Sequence, residues 1–89
     1  MIFILAKNAD IARITARLAG LQPKDWIYID KSERMQGYRQ AALWLTESCT
    51  EHQFYRQVIE IALERDFYFF DVHEVLRHHL IRELGGKVG

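Results

Sequence analysis

The sequence predicts an α/β fold: a small three-layer domain with a mostly parallel sheet of three to four strands, in the order β-α-β-(β)-α-β-α. Three observations predict it. Short runs rich in strand formers lie at residues 2–6, 26–29 and 67–70. Between and after them, apolar residues recur at spacings of three and four, the period of a helix buried along one side. The two periods alternate along the chain, as they do when helices cross between parallel strands. A rival arrangement pairs residues 26–45 as a wide antiparallel hairpin.

Ile2 to Ala6 is a continuous apolar run, which suits a strand covered on both faces. Asn8 can cap the helix that follows, Asp10 suits its first turn, and Ile11, Ile14 and Leu18 form its apolar stripe. Ala12 and Ala19 permit close approach beside that stripe. Gly20 supplies a left-handed residue after the last turn, and Pro23 discourages continuation. Trp26-Ile27-Tyr28-Ile29 reads as the second strand, ending at Asp30. Residues 31–39 are polar, contain Gly37, and read as a connection; Ala41 to Leu45 reads as a third strand, although Ala41, Ala42 and Leu43 equally suit a helix. Thr50 and Gln53 have the spacing of a reciprocal capping box, opening a helix whose stripe is Phe54, Val58, Ile61 and Ala62, widened by Tyr55 and Ile59. Phe67-Tyr68-Phe69-Phe70 is predicted as a central strand, because two covering layers can bury four successive aromatics and a helix cannot. Asp71 and Glu74 cap a last helix carrying Val72, Val75, Leu76, Leu80 and Leu84. Gly85-Gly86 ends it, and residues 85–89 are expected to be a flexible tail of the single domain 1–89.

Eighty-nine residues allow one core, and a 49% apolar content is that of a globular chain rather than a disordered tail. Twelve basic side chains balance twelve acidic ones, so no overall field draws the protein to nucleic acid or anionic lipid. The balance is uneven: residues 1–45 hold seven basic and four acidic groups, and residues 46–89 five and eight. A single cysteine excludes an internal disulfide and a multi-cysteine zinc site. The first apolar run is too short for a signal peptide or a membrane span. A soluble protein of the reducing cytoplasm, with no membrane contact, is the expectation.

In a parallel sheet, ligands bind beyond the carboxyl ends of the strands. Those ends bring forward a cluster of Lys7, Asp30, Cys49, Asp71 and His73. The first strand-to-helix turn, Ala6-Lys7-Asn8-Ala9-Asp10, has no glycine and matches neither the dinucleotide nor the Walker pattern, so no nucleotide cofactor is expected. Asp71, Glu74 and His78 share a helical face, but capping and a Glu74–His78 pair account for them, and no metal is expected. Cys49 would be activated if it lay near the start of the second helix beside His52, because a helix end stabilises a thiolate, although a lone cysteine is usually inert. Asp30 and Asp71 would serve a divalent-metal hydrolase or phosphoryl-transfer enzyme only if they approached within about 5 Å. A second surface gathers Arg13, Arg17, Arg34, Tyr38 and Arg39, where guanidinium groups and an exposed ring would meet phosphate and base. Nucleic-acid binding through it is the alternative rather than the favoured reading, given the zero net charge. Eleven aromatic residues are many for a core this small, and Tyr38, Trp44, Tyr55 and Tyr68 are candidates for surplus exposed surface that would take a protein partner or a second copy.

Ala6-Lys7-Asn8 with its helix, Gly20-Leu21, Trp26-Ile27-Tyr28-Ile29 and Gly37-Tyr38-Arg39 resemble a group of small bacteriophage-encoded proteins of undefined function. The resemblance covers residues 3–39, less than half of the chain. It implies a compact Rossmann-like domain and a phage accessory protein acting in the host cytoplasm. It brings no reaction or ligand, and it directs attention to Gly37 and Arg39. With no catalytic pattern complete, the leading expectation is a non-enzymatic interaction protein.

Overall fold

The computed structural model describes residues 1–83. The chain runs β1 (Ile2–Leu5), α1 (Ala9–Leu18), β2 (Trp26–Tyr28), β3 (Ala42–Leu45), α2 (Tyr55–Glu64), β4 (Tyr68–Asp71) and α3 (Val72–Glu83), with short 3-10 turns at Pro23–Asp25, Ser32–Met35 and Cys49–Glu51. All four strands are parallel, in the order β2-β1-β3-β4. The predicted α/β sheet therefore forms, and the antiparallel rival does not: β1 lies between β2 and β3, so residues 26–28 and 42–45 never pair. The chain steps outward from β1 to β2, returns over β1 to β3, and continues to β4, so its winding reverses between β1 and β3.

Alternation along each strand divides the core in two. Phe3, Leu5, Leu43 and Ile29 point to one face, where Met35, Val58, Ala62 and Phe67 close over them. Ile4, Ala6 and Trp44 point to the other, beneath Ala12, Ala16 and Val72. As the central strand, β1 has Phe3, Ile4 and Leu5 wholly out of water.

Helix α1 starts where expected, with the Ile11 N–H donating to the Asn8 side chain. It ends in a Schellman turn: Gly20 at φ +76° lets its own N–H reach the Arg17 carbonyl and the Leu21 N–H reach the Ala16 carbonyl. Its buried side differs from the expected stripe. Ala12, Thr15 and Ala16 face the sheet, while Ile14 and Leu18 are 58% and 57% exposed. The reason is volume. The sheet contributes Trp44, Trp26 and Tyr28 to this layer, and small helix residues complement bulky strand residues in a close-packed interior.

The polar connection between β2 and β3 also does more than join them. Met35 is fully buried, and the Tyr38 ring meets Phe3 edge-on at 5.0 Å, so this segment replaces a crossover helix on the α2 face. The capping box at Thr50 does not form: residues 49–51 make a 3-10 turn, and α2 begins after Phe54 without a side-chain cap. Its stripe packs as expected. Asp71 does cap α3, accepting from the His73 N–H at 2.8 Å. Leu80, however, is exposed, and Leu84, the Gly85-Gly86 stop and the tail lie outside the described residues.

The largest correction concerns 67–70. Phe67 is buried, but Tyr68, Phe69 and Phe70 form the edge of the sheet rather than its centre and are 57%, 37% and 44% exposed. Local composition identified a strand; its position outside β3 leaves these rings only partly covered by the helical layers.

Candidate functional site

The carboxyl ends of the strands bring the sequence-predicted cluster to one rim but do not assemble it. Lys7 donates its backbone N–H to Ser48 Oγ at 3.1 Å and reaches Glu51 with its ammonium at 3.7 Å. Asp30 is engaged by Arg34, whose Nε donates at 2.8 Å; that hydrogen bond holds the carboxyl below the ordinary carboxylate range. Asp71 is turned to its cap, and His73 Nε2 lies 3.7 Å from Glu47. Asp30 follows one outer strand and Asp71 ends the other, three strand spacings apart, which is roughly 14 Å. The two-carboxylate metal mechanism needs them about 5 Å apart, so this geometry removes it. Among the described residues, no three His, Cys, Asp or Glu side chains converge on a point.

Cys49 is buried, and burial pushes its thiol up, with the Asp71 charge adding to the effect. A thiol held protonated is a poor nucleophile, so the helix-start activation considered for it is absent. His52 is occupied too. Its Nε2 lies 2.7 Å from the Ile29 carbonyl, and its Nδ1 accepts from the Phe54 N–H at 3.0 Å. A carbonyl only accepts and an amide N–H only donates, so the two bonds together require the Nε2–H tautomer. This buried imidazole ties the start of α2 to the end of β2, and no sequence pattern announced it.

Among the described residues, three open hollows bear on the predicted clusters. One of ≈ 430 Å³ lies among Lys7, Tyr28, Asp30, Glu51, His52 and Gln53. Its charged groups are already compensated by the Lys7–Glu51 and Asp30–Arg34 pairs, and burial together with the Asp30 charge pushes the Tyr28 phenol up. A second of ≈ 270 Å³ opens where the winding reverses, beside Ile11, Thr46, Ser48 and His73. Two of the amides that face this end of α1 are taken, Lys7 N–H by Ser48 and Ile11 N–H by Asn8, and the Asp10 carboxylate in the first turn opposes an anion there. The third, of ≈ 420 Å³, lies beside Arg13, Arg17, Leu21, Pro23 and Trp26. Arg13 is neutralised by Asp10 at 2.8 Å.

The proposed arginine surface is divided. Arg13 and Arg17 lie on α1, on the face of Trp44. Tyr38 packs on Phe3 on the opposite face, half-buried rather than free to stack on a base, and Arg34 is spent on Asp30. Arg39 is exposed beside Tyr38. Of the four aromatics considered as surplus surface, Trp44 is buried, Tyr38 and Tyr55 are half-buried, and Tyr68 is exposed.

What remains unengaged is the aromatic edge. Tyr68 and Phe70 pair with Ala42 and Trp44, so they lie on the α1 and α3 face; Phe69 pairs with Leu43 and lies on the α2 face. The Tyr68 N–H donates inward to the Ala41 carbonyl. Backbone direction alternates along a strand, so the Phe69 N–H and C=O point away from the sheet. Three aromatic side chains thus flank the outward backbone groups of Phe69, two on one face and one on the other. The rim of the sheet offers no comparable surface, and no helix of the described residues is long and apolar enough to cross a membrane. Comparison of the chain with protein-family models, with curated proteins and with solved structures gives no match.

Proposed function

We propose that this chain is a non-enzymatic interaction protein that binds a protein partner through the free edge of β4. One observation carries the reading: Tyr68, Phe69 and Phe70, three adjacent aromatics, stay substantially in water along a strand that, among the described residues, no other strand pairs on its outer side. Natural sheets blunt such edges with charge, proline or a bulge, and an edge left open is a template for an added strand. Along β4, charge stands only at the two ends, in Asp66 and Asp71, and Phe67 to Phe70 carry none of those devices. The employment of Cys49, His52, Asp30 and Asp71 in structural contacts supports a binding role over a catalytic one. The resemblance of residues 3–39 to bacteriophage-encoded proteins supports an accessory role in a host cytoplasm.

The test is site-specific photo-crosslinking in bacterial cells, with benzoylphenylalanine placed at Phe69 and, as a control, at the exposed Arg56 of α2. A discrete protein adduct is expected from position 69 and not from position 56. Equal or absent adducts at the two positions would overturn the reading.

A further inference from the structure

We infer that the occupant of the β4 edge is a second copy of this chain, paired antiparallel about a two-fold axis at Phe69 to give one continuous eight-stranded sheet. The inference rests on the interaction reading above and names the partner. Three features of the strand argue for it.

The first is self-complementarity. A two-fold axis normal to the sheet reverses strand direction and preserves the faces, so side chains on each face meet side chains from the same face of the other copy. Centred on Phe69, the pairing sets Tyr68 against Phe70, Phe70 against Tyr68, and Phe69 against its own equivalent. Every exposed ring of the edge thereby meets another ring, and cross-strand aromatic pairs are among the favourable ones.

The second is backbone polarity. Phe69 presents its N–H and C=O outward, as the directly hydrogen-bonded pair of an antiparallel ladder requires. Moving the axis to Tyr68 would call on the Phe67 N–H, which already donates to the Ala62 carbonyl at 2.9 Å. Moving it to Phe70 would set Asp71 against Phe69, and Tyr68 against Val72, where α3 begins. Centred on Phe69, the first bonded pair is Phe69 with its own equivalent and calls on neither; Phe67 and Asp71 come opposite each other only at the next bonded position.

The third is the contrast between the two edges. β2, at the other side, has three residues, is preceded by Pro23-Lys24-Asp25 and is followed by Asp30-Lys31. It is short and flanked by charge and proline, as a solvent-facing edge should be. β4 is one residue longer and is likewise bounded by charge, at Asp66 and Asp71, but its Tyr68, Phe69 and Phe70 are exposed where the β2 side chains are half-buried, so a dimer through β4 covers the more exposed aromatic edge.

The experiment is analytical ultracentrifugation of the whole chain over a wide concentration range, beside a Phe69→Lys variant and a Phe69→Cys variant in a Cys49→Ala background. The wild type is expected to sediment as a dimer, and Phe69→Lys as a monomer with an unchanged far-ultraviolet circular dichroism spectrum. In the proposed register the two position-69 Cα atoms stand about 5.5 Å apart, within disulfide reach. Mild oxidation should therefore convert Phe69→Cys to a covalent dimer, a result that holds even where the lysine variant fails to fold. A wild type that stays monomeric at millimolar concentration overturns self-pairing, as does a dimer that survives Phe69→Lys or a Phe69→Cys protein that resists cross-linking. A monomer whose position-69 photo-adduct is a different protein overturns self-pairing alone. A monomer without any adduct overturns both readings.

Discussion

Gly20 and Asp66 occupy the same position in two helices. Each follows the last turn in the left-handed region, at φ +76° and +58°, and each lets two amides return to the helix carbonyls. Glycine adopts this conformation without cost, whereas a residue with a Cβ is strained there. Opposite substitutions should therefore move stability in opposite directions. Gly20→Ala adds that strain and brings a Cβ to 3.2 Å from the His79 ring, so a loss of about 1–2 kcal/mol is expected. Asp66→Gly removes strain and should gain roughly 0.5–1 kcal/mol. Urea denaturation midpoints, compared at constant m-value, check both. Gly20 was legible in the sequence because glycine before a proline-containing turn marks a helix end. Asp66 could be read as a stop but not as a left-handed one, since aspartate is compatible with several turn conformations. His52 was legible least, because a buried imidazole bridging two loops has no characteristic spacing.

The elements repeat that division between what local pattern specifies and what packing decides. Strand positions and the helical stripe of α2 follow from period alone, and they form where the sequence puts them. The face of α1 does not: Ile14 and Leu18 made the more hydrophobic stripe, yet the alanine side packs because the sheet beneath it is already filled by tryptophan and tyrosine. The connection at residues 31–39 misled in the opposite sense, since its mostly polar composition hid Met35 and Tyr38, two anchors three residues apart. These assignments carry a direct energetic contrast. Met35→Ala should cost about 2–4 kcal/mol, the range for truncating a fully buried side chain. Ile14→Ala, in a residue that reads as core by sequence, should change stability by no more than about 0.5 kcal/mol in the monomeric Phe69→Lys background. Thermal or chemical denaturation of the two variants measures the difference.

At the scale of the molecule, strand order was the missing information. A run of aromatics specifies a strand, but whether that strand ends inside or outside the sheet depends on where each crossover lands, and no residue within 67–70 encodes that. The same gap explains the fate of the strand-end cluster. Its members do reach one rim, as the fold class requires, but the order β2-β1-β3-β4 sends Asp30 and Asp71 to opposite sides. The arginine surface was likewise assembled from residues that the winding distributes over two faces. An edge that binds a second copy makes the folded state depend on protein concentration. The wild-type unfolding temperature should therefore rise with concentration in differential scanning calorimetry, and that of Phe69→Lys should not. A concentration-independent wild type would fit a lone protomer.

The segment between β2 and β3 shields the middle of the sheet with a single 3-10 turn and two side chains, where a longer fold would lay down a helix. Loosening it breaks no long ladder of hydrogen bonds, yet it would admit water to Phe3 on the central strand. A thin cover thus stands over the middle of the sheet, so a breach of this segment would open the native state from its centre instead of fraying it inward from the periphery.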